Sequence, residues 1–133
     1  MPILISLVAV AGVVMLSLVP SAVISGLRTP LPAAIEHALA YAALGSVLAM
    51  SLRLRTASVG LLVILGLTML AALLETAQLF VPGRSFWLSD IMGSAFGACL
   101  GVFIGMMVRR LMGSVNNRRN AALLRKRAAT QGR

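Results

Sequence analysis

The sequence predicts an all-α protein, a polytopic transmembrane four-helix bundle with a basic cytoplasmic C-terminal tail. Three observations carry that reading. Hydrophobic residues make up 59% of the 133 positions and charged residues only 11%, too little polar surface to cover a soluble globule. The apolar residues gather in four runs of about 20, the length an α-helix needs to cross the hydrocarbon. Arginine and lysine are distributed one-sidedly over the segments that join those runs. A transmembrane domain over residues 1–112 and a tail over 113–133 account for the chain, with no room for a separate soluble domain.

Residues 3–24 form the first expected span, uncharged and with Pro20 near its end, where a kink is tolerated. No positively charged segment precedes it and the run is long for a signal peptide, so a retained helix is expected. Gly26, Pro30 and Pro32 then punctuate the chain. The second span, 34–52, opens with Glu36, His37 and Tyr41. A basic turn carrying Arg53 and Arg55 leads into the third, 57–80, which is clean until Glu75 and Gln78. Pro82-Gly83 is a turn signal, so the third helix and the fourth, 88–108, should form an antiparallel hairpin. The residues after it are polar and basic and read as a tail with at most a short surface helix. The single cysteine, Cys99, lies in an apolar run and reads as a packing residue.

With four spans, the N-terminus, the second loop and the tail share one side of the membrane. That side carries Arg53, Arg55, Arg109, Arg110, Arg118, Arg119, Arg125, Lys126, Arg127 and Arg133, against Arg28 and Arg84 on the other. The asymmetry places both termini in the cytoplasm. The tail then meets anionic lipid headgroups, each basic residue near the surface contributing about 1 kcal/mol. Membrane lipids are therefore its expected partners. Without stacking aromatics in the tail, the net charge of +9 does not point to nucleic acid.

Only three residues are acidic, and two of them, Glu75 and Asp90, lie inside apolar spans. At 1.5 Å per residue Glu75 sits roughly 7 Å inside the outer end of its helix, and Asp90 and His37 roughly 4 to 5 Å inside theirs. Three helices thus bring scarce ionisable groups to one level, beneath a hairpin that holds Arg84 and is flanked by Phe80, Phe86 and Trp87 at the height of an aromatic belt. On the fourth helix Gly93, Gly97, Gly101 and Gly105 recur every fourth residue, a stripe that admits a close neighbour, either within the chain or in a partner or second copy. Asp90 lies over that stripe and so faces protein. Glu75 and Gln78 share a face of the third helix with Thr68, Ala71 and Ala72, and His37 and Tyr41 share a face of the second. Ionisable groups inside the hydrocarbon cost roughly 2.5–3.5 kcal/mol each, so their default reading is a functional site. The bland alternative is a lock in which Arg84 clamps Glu75 and Asp90, completed by His37, Gln78 and Tyr41. Glu36 points away from His37 and suits a helix N-terminus.

His37 with Tyr41 four residues on, then Glu75, Gln78, Pro82, Arg84 and Asp90 in the pattern E-x-x-Q-x-x-x-P-x-R-x-x-x-x-x-D, followed by a glycine-bearing helix, resembles the VanZ-like family of small bacterial membrane proteins over residues 30–108. The resemblance implies a multi-pass protein of the bacterial inner membrane. It also implies a link to the cell envelope, since the family's namesake is tied to lowered teicoplanin susceptibility; it implies no particular reaction.

The residues themselves support three readings. In the first, Arg84, Glu75, Asp90, Gln78, His37 and Tyr41 bind an anionic lipid-linked envelope molecule at the outer boundary, Arg84 gripping a phosphate or carboxylate while the two acids position it. In the second the cluster is catalytic, with Glu75, Asp90 and His37 as acid and base candidates on a lipid-linked phosphate or glycan. In the third the protein is a non-catalytic assembly factor that recruits membrane proteins or a second copy of itself. Spacings typical of a phosphate loop, a nucleophile elbow or paired metal ligands do not occur, and no metal or cofactor is expected.

Overall fold

The computed structural model describes residues 2–20, 23 and 30–131. Most of the first linker, including Arg28, lies outside them, as do Arg133 and the side chains of Arg119, Arg125, Lys126 and Arg127. Four helices are described: α1 (Pro2–Leu18), α2 (Ala33–Ser51), α3 (Ala57–Gln78) and α4 (Leu88–Gln131). No strand occurs among the described residues.

Three of the helices are long and apolar enough to cross a membrane: α2, α3 and the Leu88–Val115 part of α4. The first is shorter than expected. It ends at Leu18, not near residue 24, because the residue before Pro20 is pushed out of the α region, and its 17 residues reach roughly 26 Å. The fourth is longer than expected. In place of a fourth helix ending near Val108 and a separate tail over 113–133, the backbone stays helical to Gln131, because residues 114–131 contain neither glycine nor proline and are rich in helix formers.

The ends of the middle helices follow from local chemistry. Pro32 precedes α2, and its carbonyl accepts from the N–H groups of Ile35 and Glu36. Past Ser51 the chain closes a Schellman motif: Arg53 is left-handed at φ 57° and the Leu54 N–H reaches the Ala49 carbonyl at 3.1 Å. Leu54 is thereby turned inward and buried beside Ala49 and Val102. Thr56 caps α3, its hydroxyl accepting from the Val59 N–H. At the opposite end Pro82 and Gly83 make a tight turn, with Gly83 at φ 75° and the Arg84 N–H on the Val81 carbonyl at 3.1 Å. Proline followed by a left-handed glycine is the type II arrangement, and it reverses the chain into the expected hairpin.

The most extensive contact is between α2 and α4, and the glycine stripe makes it. A Cβ at Gly93, Gly97 or Gly101 would collide with the backbone carbonyl of Ala34, Ala38 or Ala42 respectively, and one at Gly105 would lie 2.7 Å from the Ser46 carbonyl oxygen. The stripe is therefore filled by α2 of the same chain, not held open for a partner or a second copy. The alanines it meets also recur every fourth residue, so two small-residue stripes lie against each other. Ser46 bridges them, donating to the carbonyls of Ala42 (2.9 Å) and Gly101 (3.0 Å). Tyr41, Leu44, Leu67, Ala71 and Ala98 form the central core, on which Ala9, Val10 and Val13 of α1 pack. Outward-facing residues such as Leu62, Met69, Leu73, Phe96 and Phe103 are exposed, as lipid-facing positions require.

Candidate functional site

The hairpin end gathers the polar residues. Glu75 on α3 is 2% exposed, Gln78 4% and Asp90 on α4 6%, while His37 on α2 is partly exposed. His37 Nδ1 stands 3.9 Å from Glu75 Oε1. One donor atom each from His37, Glu75 and Asp90 fall within 4.8 Å of one another. The convergence read from helix depths thus becomes a contact cluster of three helices.

The carboxylates are held by the start of α4. The backbone N–H of Trp87, the residue before that helix, donates to Glu75 Oε2 at 3.1 Å. Asp90 lies in the first turn and accepts at Oδ1 from the Ser89 hydroxyl at 3.1 Å. Unpaired N–H groups and the positive end of the helix dipole favour negative charge there, which explains why this chain places two of its three acids at that level. Among the described residues, Glu75 Oε1 and the Tyr41 hydroxyl are buried without a hydrogen-bond partner.

Arg84 does not clamp the acids. Its Nε and Nη2 donate to the Val19 carbonyl at 3.3 and 3.2 Å, and Nη2 reaches the Leu16 carbonyl at 3.5 Å; neither Glu75 nor Asp90 comes within ion-pair distance of it among the described residues. The last carbonyls of α1 have no helical partner, and a guanidinium offers several donors to satisfy them. Arg84 therefore ties the short first helix to the hairpin, and the expected positioning of Arg84 by the two acids is replaced by positioning from α1. Tyr41 is a structural residue, buried in the core with Leu44 and Leu67 and absent from the cavity wall.

Beside the cluster opens a cavity of about 300 Å³, lined among others by Glu36, His37, Gln78, Arg84, Trp87 and Asp90. Glu75 sits behind this wall. Glu36, next to His37 in the first turn of α2, lines the cavity as well, although the helical spacing of about 100° turns it away from His37; its level in the membrane is the signal that points there.

A family model described as VanZ/LLP1 matches residues 4–109. The chain belongs to the VanZ/LLP1 family. The VanZ/LLP1 match begins inside α1, so the helix that Arg84 fastens is part of the family's domain and not an appendage. No curated protein and no solved structure matches the chain.

Proposed function

We propose that this VanZ-like protein sits in the bacterial cytoplasmic membrane with both termini inside, and that its outer cavity binds the headgroup of an anionic lipid-linked envelope molecule. One observation carries the reading: a membrane domain with three acids and one histidine brings Glu36, Asp90, His37 and Arg84 onto a single cavity and sets Glu75 just behind it. Such groups are costly in hydrocarbon and are kept where they act. Arg84 offers the phosphate the in-plane N–H groups of Nη1, with Nε and Nη2 held on α1 carbonyls. The carboxylates, Gln78 and His37 suit hydroxyls of the attached headgroup. Exposed Trp87 and Phe86 suit the interfacial depth at which such a headgroup lies.

Native mass spectrometry of protein released from its own membrane is expected to show a bound phosphorylated lipid that is lost in Arg84→Ala and in Gln78→Leu. Retention of the lipid in both variants would end this reading. Gln78→Leu leaves the α1 contacts intact, so a loss there is not attributable to a loosened first helix. For orientation, a Cys99→Ala background with Ser85→Cys should react with an impermeant maleimide on intact cells, and one with Asn120→Cys only after permeabilisation. The opposite labelling pattern would reverse the topology.

A further inference from the structure

We infer that His37, Glu75 and Asp90 form a binding site for a divalent first-row metal ion, Zn²⁺ or Mn²⁺. No spacing in the sequence announces it, because the three residues stand at positions 37, 75 and 90 and meet only when α2, α3 and α4 pack. Their donor atoms lie within 4.8 Å of one another, and ligand bonds of about 2.1 Å need only modest side-chain rotation to close that triangle. One imidazole nitrogen with two carboxylates suits a borderline or hard divalent ion.

A second observation points to a ligand. Glu75 Oε1 is buried and accepts no hydrogen bond among the described residues, His37 Nδ1 standing 3.9 Å away, although Oε2 of the same carboxylate is fixed by the Trp87 N–H. Asp90 is likewise steadied at Oδ1 by Ser89. Outer hydrogen bonds that orient a carboxylate while leaving an oxygen for an ion are the usual support of a metal site. The 300 Å³ cavity on the open side leaves room for water or an incoming oxygen ligand, as in sites that act on a substrate and not merely hold the fold. The ion site shares its cavity with the headgroup proposed above and stands without it.

The test uses tag-free protein in nanodiscs of a zwitterionic synthetic lipid, with the metal ion alone as probe. Wild type is expected to bind one Mn²⁺, displaced by Zn²⁺, and to show nitrogen coupling in the pulsed spectrum of bound Mn²⁺. The chain has a single histidine, so coupling of the imidazole type, lost in His37→Asn, can arise only from His37. Glu75→Gln, Asp90→Asn and His37→Asn should each weaken binding at least about tenfold, and Cys99→Ala, which removes the exposed lone thiol outside the cavity, should not. Absence of binding above empty nanodiscs, or nitrogen-free binding unchanged in His37→Asn, would overturn the site. His37 is partly exposed and its variant is the one least exposed to folding failure. Because no envelope lipid is present, failure here is separate from failure of the headgroup reading.

Discussion

Gly97→Leu is expected to abolish the folded bundle, and Gly97→Ala to cost at least about 1–3 kcal/mol. The atoms a side chain would meet at Gly97 are the carbonyl oxygen, carbon and Cα of Ala38. Those are backbone atoms of an adjacent helix and cannot rotate aside as the tip of a leucine could, so α2 and α4 must separate. Separation reaches the site directly, because His37 stands on one of these helices and Asp90 on the other. Gly66→Ala is the matched control: nothing lies within 4 Å of its Cβ position, and alanine there should be neutral or stabilise by up to about 1 kcal/mol through helix propensity. Thermal melts read by size-exclusion in mild detergent separate the two. A monodisperse Gly97→Leu protein melting like wild type would refute the interface.

The second large effect is expected at Glu75. Truncation by Glu75→Ala removes the acceptor of the Trp87 N–H and empties a fully buried position, with an expected cost of about 2–5 kcal/mol. Glu75→Gln keeps an acceptor oxygen and nearly the same volume, so it should fold while losing the negative charge that an ion or a headgroup would use. Trp87 is the only tryptophan, which makes its emission a direct report on the hairpin: altered in the alanine variant, near wild type in the glutamine variant. An alanine variant as stable as wild type would mean that the carboxylate does not hold the start of α4.

Much of this arrangement is legible before any coordinates. Apolar run lengths give the helices, Pro82-Gly83 gives the hairpin, and a rise of 1.5 Å per residue puts His37, Glu75 and Asp90 at one level. The glycine period marks the contact face of α4, although its partner is legible only once the matching period of Ala34, Ala38 and Ala42 is read on α2. The partners of Arg84 differ from the expected carboxylates for a physical reason. Its acceptors are the backbone carbonyls of Leu16 and Val19, which carry no residue signature, whereas nearby carboxylates do. The end of α1 depended on one proline, and the length of α4 on the absence of any stop signal, so hydropathy alone misplaced both. The Trp87 N–H, a main-chain donor, is invisible to a side-chain inventory, yet it fixes which Glu75 oxygen faces His37.

The gathering of these groups can be measured without mutation. The chain contains one histidine, and Asp90 is its only aspartate, so ¹⁵N-histidine and ¹³Cγ-aspartate labelling yields a single pair for a dipolar recoupling measurement in lipid bilayers. With donor atoms of His37 and Asp90 within 4.8 Å, clear dephasing of the imidazole signal by the Asp90 carboxyl carbon is expected. An imidazole signal that stays undephased at the longest mixing times would place His37 and Asp90 apart and contradict the site.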